Sequence, residues 1–251
     1  MPNLADTYHT TATAMLARAV AANTPVLRRL GPLIGASIAR GGVLHTFGSG
    51  HSEVIAREII GRAGGLVCVS GIIDPGAGFS ENVVGYGTRL AERYDRIHGL
   101  QAGECIIVIS NSGKNASPIE VALYAQHKGL TVIGLTALAM STTATMVHPG
   151  GHNLHAIADH VLDNGGVPGD AIVEIGQPAS AAPGAPALKA GPTSTFIGAT
   201  LLNLLVLEVI GWLAANGYAL PVLRSQNVPG GAEFNLELAK KYRLRLSRPI
   251  G

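Results

Sequence analysis

The chain has 251 residues, 47% hydrophobic and 14% charged, with 18 Lys and Arg against 16 Asp and Glu for a net charge of +2. That length supports one large domain with a substantial core. A balance this even, with basic residues scattered except in the tail 240–248, excludes the broad footprint of a nucleic-acid binder and suits a small anionic ligand.

The opening MPNLADTYHT lacks a basic region followed by an apolar core, so a cytoplasmic location is expected. Residues 4–22 and 25–40 carry apolar side chains at helical spacing. Thr24-Pro25 between them reads as an N-cap and first-turn proline, which predicts two helices. They precede any strand, so residues 1–40 are expected to form a helical extension to a domain spanning 41–251. From Gly42 onward come short apolar runs: VLHTF (43–47), LVCVS (66–70), CIIVIS (105–110), TVIGL (131–135) and 157–162. Runs apolar on both faces suit central strands of a parallel sheet. Helices are expected at 53–62, in part of 82–93, at 116–128 and, briefly, near 141–146. The alternation predicts an α/β fold: a doubly wound sheet of five parallel strands, whose ligand lies beyond the carboxyl ends of the strands.

Between these elements, 71–87 holds too many glycines for regular structure and is expected to be a loop over the site. The stretch 177–192, dense in Pro, Ala and Gly, is predicted to be a loop as well. Residues 196–213 are almost wholly apolar and nearly long enough to span a bilayer, but they include Asn203, Glu208 and two glycines. They therefore read as a helix of the core or of a subunit interface rather than a membrane span. A last helix is expected at 232–246. Cys68 and Cys105 lie in apolar runs without metal-type spacing, as buried thiols do.

Two loops carry the chemistry. Phe47-Gly48-Ser49-Gly50-His51-Ser52 follows the first strand and opens a helix, and Ser110-Asn111-Ser112-Gly113-Lys114-Asn115 repeats the device after CIIVIS. Glycines let the backbone approach an anion, hydroxyls donate to it, and a helix start offers free N–H groups with a favourable dipole. A dinucleotide fingerprint fails, because Glu53 replaces its third glycine and Ser70 its acidic residue. A nucleotide-triphosphate loop fails too: Gly113-Lys114 is followed by Asn115 and lacks the upstream glycine.

Together the two loops resemble the paired motifs of the sugar isomerase (SIS) domain family of phosphosugar isomerases and phosphosugar-binding proteins. The runs HGLQAGECIIVISNSGKNASPIEVALYAQHKGLTVIGLT, IADHVLDNGGVPGDA, GPTSTFIGATLLN and SQNVPGGAEFN resemble a bacterial branch of it. The resemblance covers nearly the whole chain. It implies a phosphate held by Ser110, Asn111, Ser112 and Asn115, with Ser49, Gly50, His51 and Ser52 facing the sugar and Thr193 and Ser194 contributing.

Sugar-phosphate enzymes of this kind open the ring and remove the C2 proton, which needs a carboxylate in reach. Glu53, in the first turn after the loop, and Glu58 are the candidates, and Arg57 stands four residues after Glu53, where it can pair with it. Glu58-Ile59-Ile60-Gly61-Arg62 resembles the catalytic segment of the phosphoheptose isomerases. Val54 stands where those have a metal-binding histidine, which argues against a metal-assisted reaction. Lys189-Ala190-Gly191 with Leu202-Asn203 resembles a segment of the N-acetylmuramic acid 6-phosphate etherases, which eliminate the C3 substituent. The expected activity is thus a lyase on an N-acetylglucosamine 6-phosphate-like amino-sugar phosphate, without metal or cofactor. Aldose–ketose isomerisation and non-catalytic phosphosugar sensing are the alternatives. His148 matches a family histidine that could assist ring opening, while His148, His152 and His155 lack companion ligands for a metal. In the tail, Phe234 stands where relatives carry histidine. The expected partners are a phosphosugar and further copies of the chain, a homodimer or tetramer, because the apolar helices offer more face than one sheet covers; neither nucleic acid nor a membrane is expected.

Overall fold

Asn3 caps the first helix, its side chain accepting from the Ala5 and Asp6 amides. That helix, α1 (Leu4–Ala39), runs unbroken for 36 residues in a computed structural model that describes residues 3–177, 180, 182 and 184–248. The break expected at Thr24-Pro25 does not occur. Thr24 Oγ1 donates back to the Val20 carbonyl instead of capping a new helix, and both Pro25 and Pro32 lie inside α1. Tertiary contacts override the prolines. Buried Asn23 pairs with both backbone groups of Asp163, its Nδ2 donating at 2.7 Å and its Oδ1 accepting at 2.9 Å. Downstream, Gly31 and Gly35 let a second long helix approach: a Cβ at Gly35 would stand 2.5 Å from the Trp212 ring.

The sheet strands are β1 (Leu44–Gly48), β2 (Val69–Ile72), β3 (Cys105–Ile109), β4 (Thr131–Thr136) and β5 (His160–Asp163), all parallel in the order β2-β1-β3-β4-β5. Between them run α2 (His51–Glu58), α3 (Tyr86–His98), α4 (Ala116–His127) and the single turns α5 (Leu138–Ser141) and α6 (Leu154–Ile157). Alternate strand residues enter two cores. Leu44, Ile107 and Leu135 join the core under α1, α2 and the long C-terminal helix, while Phe47, Val108 and Val132 join the one under α3 and α4. This double burial is why the strands read as continuous apolar runs.

Beyond the sheet, β6 (Ala171–Gly176) and β7 (Leu188–Pro192) form an antiparallel hairpin. This corrects the expected loop at 177–192, of which positions 178, 179, 181 and 183 lie outside the described residues. Then come α7 (Ser194–Ala215) and α8 (Gly231–Ala239), the latter ending sooner than expected in a 3₁₀ turn at Lys240–Tyr242.

The basic tail returns to the sheet. Arg245 clasps the Glu104 carboxylate at 2.9 and 2.8 Å and donates to the His98 and Gly99 carbonyls. Glu104 also accepts from Val43 N, Gln101 N and the fully buried His45 Nε2, whose Nδ1 meets Tyr94 Oη at 2.8 Å. One strand histidine, backed by a helix tyrosine, and the tail therefore close on one carboxylate. Burial pushes Glu104 up, but the hydrogen bonds from His45, Gln101 and Arg245 outweigh it and bring it down to about 2. Burial lowers His45, more than Glu104 raises it.

Removing one partner of a buried ion pair strands the other charge, so Arg245→Ala should cost roughly 3–5 kcal/mol of unfolding free energy. Lower pH should destabilise the wild type twice over, which urea melts at a series of pH values would measure. Below the ordinary histidine value of 6.5, the unfolded imidazole takes up a proton that buried His45 refuses. Below the ordinary 4.5 the Glu104 contribution declines too, and it is gone once pH falls through about 2.

Candidate active site

Parallel pairing of β1 with β3 sets Gly48 opposite Ile109, so the residues that follow, Ser49 and Ser110, leave the sheet side by side. Here the strand order reverses direction, the place where an open α/β sheet forms a crevice. The two loops and the start of α7 enclose a cleft of about 510 Å³. Its walls include Ser49, Gly50, His51 and Ser52 from the first loop and Ser110, Asn111, Ser112 and Asn115 from the second. Sequence reasoning brought these eight together, and the fold places them around one space.

Each loop is built for close backbone approach. Gly50 has φ +56° and Gly113 φ +65°, a region that favours glycine. A Cβ at Gly113 would also stand 2.2 Å from Ser141 Oγ. Ser110 folds the second loop back, its carbonyl and Oγ both accepting from Gly113 N. Asn111 ties that loop to the neighbouring strand ends: its carbonyl accepts from Thr136 Oγ1 and Ala137 N, and its Oδ1 from Asn164 Nδ2. Neither α2 nor α4 has a side-chain cap, so the positive ends of both helix dipoles are turned to the cleft without one.

The glycine-rich segment does reach over the first loop, although only 73–85 is irregular, since residues 71–72 end β2 and 86–87 begin α3. Asp74 is its anchor, accepting from Gly76 N, Gly78 N and Tyr86 Oη. The bond to Asp74, followed by burial, raises the Tyr86 phenol, which therefore stays a donor. Gly78 presses on the first loop so closely that a Cβ there would stand 2.7 Å from Gly50 N. Glu81 then ties α4 to the first loop: its carbonyl accepts from Ser117 N, in the first turn of α4, at 2.8 Å, and its carboxylate from Ser49 Oγ at 2.5 Å. Glu81 lines the cleft and was missed by the sequence reading. It could have been found as one of two carboxylates, with Asp74, in a segment already expected to cover the site.

Of the expected acid–base residues, Glu53 stands in the first turn of α2 and receives Arg57 at 2.7 Å, the predicted pair. Glu58 closes the far end of α2, paired with Arg62 and 3.4 Å from Asn203 Nδ2. Five helical residues separate the two, about 140° around the axis, so they face different surroundings. Neither lines the cleft. His148 turns to α4 instead, with Nε2 3.9 Å from Glu120 Oε1 and Nδ1 accepting from Gly150 N. At the third wall, Asp170 (φ +60°) accepts from the Thr193 and Ser194 amides and from Ser194 Oγ. Ser194 lines the cleft, whereas Thr193 is fully buried behind it.

Residues 7–137 match the family model described as the SIS domain. A UPF0309 protein of Brucella canis is 37% identical over 228 residues, covering 87% of this chain and 88% of its own. A UPF0309 protein of Listeria monocytogenes is 38% identical over 216 residues, 85% of this chain and 86% of its own. Among solved structures, a phosphoheptose isomerase from Francisella tularensis superposes with a TM-score of 0.55 at 14% identity, over 81% of this chain and 95% of that one, which shows a shared fold.

Gly113→Ala should force a strained φ and displace Ser141, costing about 1–3 kcal/mol. Inorganic phosphate should then protect the variant against thermal unfolding less than it protects the wild type, because the second loop no longer holds its shape.

Proposed function

The chain belongs to the SIS domain family, and from that premise we propose that it binds a hexose phosphate in the cleft and removes the proton at C2. The observation that carries this reading is the meeting of two serine-rich helix starts, neither with a side-chain cap, with the Glu81 carboxylate in one cleft. The phosphate sits on the second loop, among Ser110, Asn111, Ser112 and Asn115, where hydroxyls, backbone N–H groups and a helix dipole all favour negative charge. Ser49, Gly50, His51 and Ser52 face the sugar, and Ser194 bounds its far side.

In this reading Glu81 is the base. With the ring open, the C2 proton is acidified by the C1 aldehyde and passes to the carboxylate, leaving an enolate. Collapse of the enolate expels the C3 oxygen, which leaves with a proton as water, and a C2–C3 double bond remains. The substrate class is an N-acetylhexosamine 6-phosphate. The Glu53–Arg57 pair, in the turn behind the first loop, contributes charge near the sugar and holds α2 in place. Glu58, pointed at α7, has a structural part only, and His148 steadies the loop beside α4. The protein works without metal, in the cytoplasm, as a homo-oligomer.

Incubation with N-acetylglucosamine 6-phosphate in deuterated water, followed by proton NMR, should show loss of the C2 signal and growth of an unsaturated product. Glu81→Gln should slow both by roughly 100-fold or more while keeping phosphosugar affinity, the size expected for loss of a general base. Glu58→Gln should leave the rate unchanged. Exchange at C2 with a ketose as product would transfer the reading to isomerisation. Tight binding with no exchange at all would make the chain a phosphosugar sensor.

A further inference from the structure

Behind the second loop stand α5 and α6, the two single turns that follow β4. From α5, Met140 Sδ accepts from Asn111 Nδ2 at 3.6 Å on the cleft wall, and the next residue, Ser141, is fully buried. Ser141 presses on the second loop so closely that a Cβ at Gly113 would overlap its Oγ. From α6, Leu154 N donates to the Gly113 carbonyl at 2.8 Å. Turns this short do not hold themselves, and here Ser141 joins one to the other. Its carbonyl accepts from buried Asn153 Nδ2 at 2.8 Å. Its Oγ meets His155 Nδ1 at 2.7 Å, the one hydrogen-bond partner of that hydroxyl among the described residues. His155 itself does not line the cleft.

We propose that His155 is a positioning residue for the phosphate, acting through Ser141 on Gly113 and so on the donors of the second loop. The proposal rests on the reading of that loop as the phosphate site. Gly113 sits at φ +65°, and a glycine does not keep itself in one conformation. Its N–H is held by the Ser110 carbonyl and Oγ, and its carbonyl by Leu154 N. The space where a Cβ would stand is filled by Ser141 Oγ. A serine hydroxyl rotates among staggered positions unless a partner selects one, and the bond to His155 selects the position against Gly113. The loop is thereby shaped before a ligand arrives, which removes an ordering cost from binding. Proton removal at C2 does not draw on this brace, because Glu81 is held separately by Ser49 Oγ and Ser117 N. Loss of His155 therefore falls on phosphate affinity and spares the base.

Calorimetric titration of the full chain with inorganic phosphate tests this. Ser141→Ala and His155→Leu should each weaken binding by about tenfold, the size of one net hydrogen bond. The double variant should bind no more weakly than either single one, because the two side chains act as a unit. His155→Asn, whose amide reaches the position of Nδ1, should bind nearly as well as the wild type. A residue needed only for bulk would be replaced better by leucine than by asparagine. In turnover of N-acetylglucosamine 6-phosphate, His155→Leu should raise KM by a similar factor and keep kcat. A wild type that binds no phosphate would overturn the reading of the loop and this proposal with it. Undiminished phosphate binding in Ser141→Ala and His155→Leu would overturn the proposal alone, as would an asparagine variant as weak as the leucine one, or a loss confined to kcat. Should His155→Leu not fold, Ser141→Ala and His155→Asn decide the matter: the first must bind weakly and the second well, and any other result contradicts the proposal.

Discussion

The parallel pairing of β1 with β3 is the constraint on which the site depends. With Gly48 opposite Ile109, both strands end level and both serine-rich loops start at the same height, on either side of the point where strand order reverses. A shift of one residue would flip alternate side chains between the two cores. Register is therefore held by burial on both faces, far from any ligand. The same pairing aims the starts of α2 and α4 at a common space. Two partial positive charges at one crevice are an anion site before any side chain is counted.

Onto this frame the segment 71–87 adds what the strands cannot, a carboxylate. Asp74 folds it, Gly78 permits contact with Gly50, and Glu81 bonds to the start of α4 through its carbonyl and to the first loop through its side chain. Glu81 is thus fixed at both its main-chain and side-chain ends. A carboxylate held in this way keeps its position when a ligand enters. Opposite, Asp170 organises the start of α7, so the three walls are set by three short-range polar clusters rather than by apolar packing.

Much of this was legible in the letters, for a physical reason. Strands buried on both faces must be apolar at consecutive positions, and the runs that became β1 to β4 read so, while the fifth overlaps the edge strand β5, where only Leu162 is buried. The paired loops were legible because anion binding needs glycine, hydroxyls and a helix start in fixed order. What was not legible depended on distant contacts. The α1 helix continues through Pro25 because Asn23 grips β5 and Gly31 and Gly35 seat α7, partners more than a hundred residues away. The β6–β7 hairpin is largely solvent-exposed, so it imposes little apolar pattern. Glu81 belongs to no element, and only the folding of its loop brings it to Ser49. Glu58, suggested by similarity of its neighbours, sits where a short helix ends and turns it to α7.

The central claim is that a sugar phosphate lies in the cleft with its phosphate on the second loop and C2 beside Glu81. A crystal structure of the protein with N-acetylglucosamine 6-phosphate bound tests it most directly. The account predicts phosphate oxygens within hydrogen-bond distance of Ser110, Ser112 and the Asn115 amide, and a Glu81 carboxylate oxygen within about 3.5 Å of C2. A phosphate bound elsewhere, or a C2 atom nearer to Glu58 than to Glu81, would contradict it.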